Sequence, residues 1–188
     1  MQKNTTNNTT AKFENVIPIC DSYILRRLVK SDASQLQKLL CDPVYRQNTS
    51  TIPYPYQLSD AKQWIEYNIH KDDKDPTKVW CVEKIDDSKV CGMVGVASYD
   101  KETNQAEIGY WVGKEYWGRG IANMALQALL SYLQKKFLIN HFVACTFEHN
   151  KASERVLQKN GFIRGEKVIK CSANYPQGSV AFLWEKVE

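Results

Sequence analysis

The chain has 188 residues, of which 43% are hydrophobic and 24% charged, and this composition excludes collagen-like, coiled-coil and wholly disordered proteins. Its 25 Lys and Arg residues exceed its 21 Asp and Glu residues, which gives a formal net charge of +4. The basic residues occur at most in pairs, without the clustering typical of a nucleic-acid-binding domain, so we expect no nucleic-acid partner.

The chain is expected to consist of a short tail and one domain. Asn and Thr predominate near the start, so residues 1–12 are predicted to form a disordered tail and residues 13–188 a single domain. We find no signal-peptide pattern and no apolar run of the roughly 18 residues that a membrane helix needs. These features predict a cytoplasmic protein with no membrane partner.

Six cysteines occur without a C-x-x-C pair, and the three histidines show no zinc-site spacing relative to them. Most of the cysteines stand in apolar runs, as Cys81 does between Trp80 and Val82. We therefore predict small buried side chains in a reducing compartment and no metal site.

The first half of the domain is predicted to begin with one strand and two helices. The strand covers residues 23–28, and a helix capped by Asp32 ends at Leu40 before an Asp-Pro pair. A loop with two prolines and two tyrosines follows at residues 51–56. Ser59 is then predicted to cap a helix over residues 60–70, with Trp64 and Tyr67 on its core side.

Three strands follow at residues 79–83, 90–99 and 106–112, and the short polar turns between them indicate antiparallel pairing. The remaining chain is predicted to alternate helices and strands after a glycine-bearing loop at residues 113–120. Its elements are a helix over residues 121–136, a strand over 141–147, a helix over 152–159, and strands over 162–169 and 180–187 around a polar loop, 171–179.

The glycine-rich turn before the long helix is the most informative segment. Gly118 and Gly120 precede the helix start at Ile121, where free backbone amides and the positive end of the helix dipole converge. Glycine allows a ligand to approach the backbone closely, so the turn predicts an anion site suited to phosphate. The P-loop and dinucleotide patterns both fail, since Arg119 follows Gly118 and Asn123 stands where a third glycine is required.

Two later segments complete a recognisable pattern. Residues 150–153, Asn-Lys-Ala-Ser, open the next helix, and residues 160–162, Asn-Gly-Phe, close it. Together with the glycine turn they resemble the GCN5-related N-acetyltransferase (GNAT) superfamily. Residues 107–120 and the Pro-Tyr-Pro-Tyr loop at 53–56 are similar to its Rim-type branch, which includes acetyltransferases of ribosomal-protein N-termini.

The resemblance implies an α/β (α+β) fold: a mixed, mostly antiparallel sheet of six or seven strands flanked by about four helices. A V-shaped split between the strand ending at Val112 and the strand at residues 141–147 would admit acetyl-CoA, with no metal. The residues that the resemblance assigns to this cofactor are Tyr110, Trp111, Val112, Trp117, Gly118, Arg119, Gly120, Ile121, Ala122, Asn123, Asn150 and Ser153.

Each group of these residues has an implied role. The backbone of residues 110–112 would pair with pantetheine, and residues 117–123 would surround the pyrophosphate, with Trp117 contributing its amide and not its side chain. Arg119 would add a charged contact to the phosphates. Asn150 would hydrogen-bond the pantetheine region, and Ser153 would lie near the sulfur.

The catalytic residues are predicted with alternatives. Many family members carry a tyrosine seven residues after the Asn as an acid for the departing thiolate, but Leu157 stands there in this chain. Ser153 is the candidate substitute through hydrogen bonding, and its alternative role is a surface or capping hydroxyl. Glu107 is the candidate base, with an edge carboxylate in solvent as the alternative, and Glu148 is a second candidate.

Loop aromatics are the candidates for binding the acceptor: Tyr54 and Tyr56 between the first two helices, and Tyr175 between the last two strands. The predicted function is acetyl transfer from acetyl-CoA to a primary amine, either a protein N-terminus or a small molecule, by direct attack on the thioester. The alternative is a weak or inactive CoA-binding protein, which the residue Leu157 suggests. Both a monomer and a homodimer fit the sequence.

Overall fold

The computed structural model describes residues 16–187, and the tail predicted for residues 1–12 lies outside them. One eight-stranded sheet has the order β1-β2-β3-β4-β5-β6-β8-β7. All neighbours pair antiparallel except β5 and β6, which run parallel. The strands are β1 Val16–Cys20, β2 Tyr23–Arg26, β3 Val79–Lys84, β4 Lys89–Asp100, β5 Gln105–Val112, β6 His141–Phe147, β7 Ile163–Ser172 and β8 Tyr175–Val187.

The sheet thus confirms the mixed, mostly antiparallel architecture, with a higher strand count than the predicted six or seven. The strand missed by sequence reasoning is β1, which forms a hairpin with β2. It contains Pro18, a residue that weakens a strand pattern, and its partner Ile24 supplies the pairing. β1 is an edge strand, the place in a sheet where proline is tolerated.

Five helices flank the sheet: α1 Ala33–Leu40, α2 Val44–Asn48, α3 Leu58–Ile69, α4 Ile121–Phe137 and α5 Lys151–Lys159. Four of them were predicted within two residues at either end. The additional helix, α2, directly follows the Asp-Pro pair that was expected only to end α1. Pro43 has φ −60° and is compatible with a helix start, because it lacks only an amide that has no helical partner there.

Of the two predicted helix caps in the first half, Asp32 occupies the N-cap position of α1 without a capping bond from its side chain, and Ser59 is not the N-cap of α3. Asp32 accepts two hydrogen bonds of 2.8 Å from the Arg26 guanidinium and one of 3.0 Å from the Val29 amide, so its carboxylate does not cap α1. α3 begins at Leu58, and the Gln57 amide at its start donates to the Asp60 carboxylate at 2.8 Å. Ser59 therefore lies inside the first turn.

The loop predicted at residues 171–179 is mostly strand. β7 continues to Ser172 and β8 begins at Tyr175, so only Ala173 and Asn174 form the turn. The Asn174 side chain donates to the carbonyl oxygens of Thr49 and Ile52 at 2.9 Å each. The polar residues that suggested a loop therefore belong to a hairpin whose tip is bonded to the chain between α2 and α3.

The two faces of the sheet carry separate hydrophobic clusters. α4 covers one face, where its Leu129 and Leu133 belong to the same buried cluster as Trp184. α1 and α3 cover the other, where Leu36 and Ile65 are almost fully buried. One aromatic of α3 does not take the core position that was expected for it.

That aromatic is Tyr67, which is 73% exposed, whereas Trp64 packs at the edge of the core. The cysteine prediction is also only partly confirmed. Cys81 and Cys91 are buried, Cys145 is half-buried, and Cys20, Cys41 and Cys171 are exposed; all six are free thiols. Among the described residues, no helix has the length and apolar character needed to cross a membrane.

The predicted split lies between β5 and β6. The two strands pair only where Gln105, Ala106 and Glu107 meet residues 141–143. Beyond Glu107 they diverge, while β5 stays paired to β4 and β6 to β8. β4 has a register shift between Val96 and Ser98, opposite the point where the divergence begins.

Candidate active site

Two clefts meet at the split. The α4 cleft, about 620 Å³ in volume, lies between the turn before α4, the first turns of α5, and α2. The α3 cleft, about 1020 Å³, extends from α1 and α3 across β5 to β6 and β7. The residues that line both clefts are Asn48, Thr49, Tyr110, Trp111, Asn150 and Ser153.

The glycine turn forms one wall of the α4 cleft. Gly118 and Gly120 both have left-handed backbone conformations, with φ of 77° and 75°. A Cβ atom at either position would meet no protein atom within 4 Å, so it would project into open space. The amides of residues 121–123 form the first turn of α4 and have no partner within the helix, so they and the helix dipole provide an anion-binding end.

Trp117 and Arg119 take part in the turn itself. The Trp117 amide donates to the Lys114 carbonyl oxygen at 3.2 Å, and its indole N–H donates to the Val112 carbonyl oxygen at 2.8 Å. The Arg119 guanidinium donates to the Glu115 carbonyl oxygen at 3.1 Å. The amides left for a ligand therefore begin at Gly118.

Strand register decides which backbone groups of β5 face the split. Gly113 donates to the Cys91 carbonyl oxygen at 2.7 Å, which directs alternate residues, Trp111 included, toward β4. Tyr110 and Val112 consequently direct their N–H and C=O groups toward the split. Backbone pairing with pantetheine, expected for residues 110–112, is therefore possible for Tyr110 and Val112. The Trp111 backbone faces β4 instead.

The Val112 carbonyl oxygen already accepts two hydrogen bonds. Besides the Trp117 indole, the Tyr45 hydroxyl donates to it at 3.1 Å from α2. Burial raises the pKa of Tyr45 to about 12, so its hydroxyl remains protonated and keeps this role as a donor. Val112 therefore offers only its N–H to a ligand in the split.

Sequence reasoning missed the positive charge of the α4 cleft. Lys151, Arg155 and Lys159 line it at intervals of four residues on α5, and no Asp or Glu is among the described residues that line it. The i, i+4 spacing of these basic residues behind Asn150 was the available signal. The cleft therefore combines a helix N-terminus with three cationic side chains.

Asn150 and Ser153 lie at the junction of the clefts. The Asn150 side-chain oxygen accepts from the Ser153 amide at 3.1 Å and so caps α5. The Ser153 Oγ is 2.8 Å from the Tyr110 hydroxyl, and the Ser153 carbonyl oxygen accepts from that hydroxyl at 3.1 Å. Burial raises the pKa of Tyr110, which keeps the phenol protonated. Leu157, one turn further along, is fully buried.

Glu107 lines the α3 cleft at the last position where β5 pairs with β6. Its carboxylate accepts from Ser98 Oγ at 3.2 Å and lies 3.5 Å from the Lys170 ammonium. The second candidate base, Glu148, lines neither cleft and is paired with Lys167 at 3.1 Å. Cys145 lines the α3 cleft, and burial raises the pKa of its thiol, which favours the unreactive form.

The three candidate acceptor-binding tyrosines separate in the structure. Tyr56 lines the α3 cleft, is 7% exposed, and has its pKa raised to about 12 by burial. Tyr54 is 44% exposed and lines neither cleft. Tyr175 also lines neither cleft, because its hydroxyl donates to the Gln47 carbonyl oxygen at 2.6 Å and its ring packs on Phe147.

A family model described as an acetyltransferase (GNAT) domain matches residues 23–163. The chain belongs to the GNAT acetyltransferase family. This confirms the resemblance drawn from the glycine turn and the two later motifs, and it makes the chain an N-acetyltransferase of the GNAT type.

Two relatives of this GNAT chain carry acetyltransferase names. The ribosomal-protein-serine acetyltransferase of Escherichia coli (strain K12) is 26% identical over 152 residues, which cover 78% of this chain and 82% of the relative. The uncharacterized N-acetyltransferase p20 of Bacillus licheniformis is 27% identical over 151 residues, which cover 78% of this chain and 84% of the relative.

Solved structures show the same fold. RimL, a ribosomal L7/L12 α-N-protein acetyltransferase in complex with coenzyme A, has a TM-score of 0.82 at 19% identity and covers 92% of this chain and 98% of its own. The microcin C7 self-immunity acetyltransferase MccE, in complex with acetyl-CoA and AMP, has a TM-score of 0.80 at 20% identity, with coverage of 90% and 94%. Among residues 16–187 of this GNAT chain, no group of three or more His, Cys, Asp or Glu side chains is placed to hold a metal ion.

Proposed function

We propose that this GNAT protein transfers the acetyl group of acetyl-CoA to a primary amine by direct attack of the amine on the thioester. The observation that carries the proposal is the meeting of the two clefts. A cationic cleft at a helix N-terminus opens onto a larger cleft that contains a carboxylate, and both share the wall formed by Tyr110, Trp111, Asn150 and Ser153.

The α4 cleft is the proposed site for coenzyme A. Its phosphates would take the amides of residues 118–123 and the charges of Arg155 and Lys159, because a helix N-terminus and cationic side chains both favour anions. The pantetheine arm would lie in the split, where Tyr110 and the Val112 N–H face it. The GNAT neighbours that hold coenzyme A or acetyl-CoA support this assignment.

Glu107 is the proposed base and Ser153 the proposed hydrogen-bond donor to the leaving sulfur. The attacking amine must lose a proton as its nitrogen bonds to the carbonyl carbon, and the carboxylate of Glu107 in the α3 cleft would receive it through water. The Val112 N–H, which faces the split, is available to the carbonyl oxygen as negative charge develops on it.

The α3 cleft is the proposed acceptor site, with a protein N-terminus as the first candidate. Relatives named as ribosomal-protein acetyltransferases support this choice. The charged residues that line the cleft are balanced, with Asp60 and Glu107 against Lys71 and Lys170. Such a balance favours an acceptor with one positive charge over a polycation such as a polyamine.

The alternative, a CoA-binding protein without turnover, was suggested by Leu157 alone. It is not favoured, because the relatives reported above are named for acetyl transfer and the α3 cleft contains both a carboxylate and room for an acceptor.

A thiol-release assay with acetyl-CoA tests the proposal. N-terminal peptides, a polyamine and an aminoglycoside would be compared at equal concentration, with calorimetry of CoA binding in parallel. We expect turnover with peptides above that with the polycations. CoA binding without turnover on any acceptor would contradict the proposed activity and support the binding protein.

A further inference from the structure

Two hydroxyl groups lie against each other where the clefts meet. The Tyr110 Oη on β5 is 2.8 Å from the Ser153 Oγ on α5 and 3.1 Å from the Ser153 carbonyl oxygen. Both residues line both clefts, so the pair borders the place where an acetyl group would pass from one cleft to the other. The family resemblance implied a role for the backbone of Tyr110 and none for its side chain.

The phenol group where the two clefts meet belongs to Tyr110 on β5, whereas many family members have a tyrosine on the helix that corresponds to α5. Leu157, one turn after Ser153, has 0% exposure and packs in the core, so its position supplies no polar group to either cleft. The Tyr110 ring is itself largely enclosed, and a phenol with a raised pKa remains a hydrogen-bond donor throughout the neutral pH range. Of the two oxygens of Ser153, Oγ is the closer to it.

We propose that Tyr110 is a positioning residue that orients the Ser153 hydroxyl toward the sulfur of acetyl-CoA, an inference that rests on the function proposed above. The single proton of the Tyr110 hydroxyl is shared between Ser153 Oγ at 2.8 Å and the Ser153 carbonyl oxygen at 3.1 Å, which leaves the Ser153 proton free to be directed at the sulfur. A hydroxyl that accepts one hydrogen bond becomes a better donor in the next, so the pair acts as a unit.

The reaction step balances without a proton leaving either hydroxyl. The nitrogen–carbon bond forms, the carbon–sulfur bond breaks, and its electron pair goes to sulfur. The amine proton passes through water to Glu107. Tyr110 and Ser153 keep their protons and stabilise the departing thiolate by hydrogen bonding, and the thiolate takes a proton from solvent after it has left the site.

The experiment compares Tyr110→Phe, Ser153→Ala and the double variant with an acceptor that the wild type acetylates. We expect kcat to fall roughly ten- to a hundredfold in each single variant, the range for losing a hydrogen bond to a charged group. The Kd for CoA should change less than about twofold, since the hydrogen bond strengthens only as charge reaches the sulfur. The double variant should be no slower than Ser153→Ala, because Tyr110 acts through Ser153.

Tyr99→Phe is the matched control. It also removes a tyrosine hydroxyl that makes a hydrogen bond, to Asn104 at 2.9 Å, but Tyr99 lines neither cleft, and its kcat should equal that of the wild type. Wild-type kcat in Tyr110→Phe would overturn the inference, as would an additive loss in the double variant. Absence of wild-type turnover on every acceptor would instead contradict the proposed function.

Discussion

At the scale of single residues, Glu107 is placed by the pairing of two strands. It occupies the last position where β5 and β6 are hydrogen-bonded, so the backbone that carries it is fixed while the space beyond it is open. Its carboxylate has two neighbours, the Ser98 hydroxyl and the Lys170 ammonium, on either side. This geometry supports its proposed part as the base.

Replacing Glu107 by Gln keeps the size of the side chain and removes its capacity to take a proton. We expect kcat to fall at least about 100-fold, the lower range for a general base, with an unchanged Kd for CoA by calorimetry. Glu148→Gln is the matched control, because that carboxylate pairs with Lys167 outside both clefts and should leave kcat near the wild-type value. Equal rates in the two variants would remove Glu107 from the mechanism.

Lys170 places a positive charge in the α3 cleft, the proposed acceptor site, 3.5 Å from the Glu107 carboxylate. A second ammonium on the acceptor would be repelled by it, so Lys170→Met should raise kcat/KM for a diamine relative to that for a monoamine. We expect a several-fold change in this ratio, since like charges at about 4 Å in water repel by about 1 kcal/mol. The ratio cancels any common effect of the substitution on Glu107.

Lys167→Met serves as the control for this prediction. Lys167 is on the same strand but bonds Glu148 and lines neither cleft, so the ratio of kcat/KM values should not move. An unchanged ratio in Lys170→Met as well would mean that another feature of the cleft sets the preference.

At the scale of elements, α4 and the turn before it act together. The turn needs left-handed backbone at Gly118 and Gly120, and the helix that follows presents its first amides to the same cleft. The side chain of Asn123 in that first turn accepts from the Asn160 side chain at 3.0 Å, which ties the start of α4 to the end of α5. The Asn-Gly-Phe motif thus has a structural consequence in the α4 cleft.

Gly120→Val should abolish most CoA binding. A side chain at φ 75° costs about 1–2 kcal/mol, and the Cβ atom would project into the cleft and not into protein, so the ligand is displaced. We expect the Kd for CoA from calorimetry to rise more than about tenfold. Gly165→Val on β7 is the control, since Gly165 is not in the left-handed region, a Cβ there would make an ordinary contact of 3.5 Å, and it lines neither cleft. Wild-type affinity in Gly120→Val would contradict the assignment of this turn to phosphate.

α2 is a short helix that was not predicted from the sequence, although it contributes residues to the candidate site. Its five residues carry no periodic pattern long enough to identify a helix from sequence. Yet Tyr45 on α2 fixes the Val112 carbonyl oxygen at the end of β5, and Asn48 at its end lines both clefts. The wall between the clefts is therefore built partly from a segment that the sequence left without a prediction.

At the scale of the whole molecule, a partly buried ion network joins the sheet to the start of α1. Arg26 on β2 binds Asp32, which is 2% exposed, and also Glu83 on β3. Burying these charges is tolerable only because each is paired. The network lies apart from both clefts, so stability and ligand binding should separate there.

Asp32→Ala leaves the half-buried Arg26 guanidinium with one partner fewer. We expect the free energy of unfolding, measured with urea, to fall by about 3 kcal/mol, while the Kd for CoA measured well below the transition stays the same. Asp86→Ala is the control, because Asp86 forms a 3.6 Å pair with Lys84 at the surface and its loss should matter far less. If Asp32→Ala lowered the free energy of unfolding no more than Asp86→Ala does, the ion network would contribute little to stability.

Much of this architecture was predictable because the relevant signals are local. The alternation in β3 to β5, the periodicity of α4 and the glycine turn each depend on neighbouring residues, and the structure places those elements within two residues of the predicted ends. The predictions were wrong where contacts between residues far apart in the chain determine the local structure. Asp32 was predicted to cap the helix that follows it, but its carboxylate accepts hydrogen bonds from the Arg26 guanidinium on β2.

The candidate site divides in the same way. The sequence by itself determined the family, the glycine turn that we propose as the phosphate site, and the absence of a hydroxyl at Leu157, because each follows from residue types at fixed spacing. Only the tertiary structure decided that Tyr110 meets Ser153, that Lys170 lies beside Glu107, and that Tyr54 and Tyr175 line neither cleft. These are contacts between elements far apart in the chain, and strand register and helix packing set them, which no local pattern encodes.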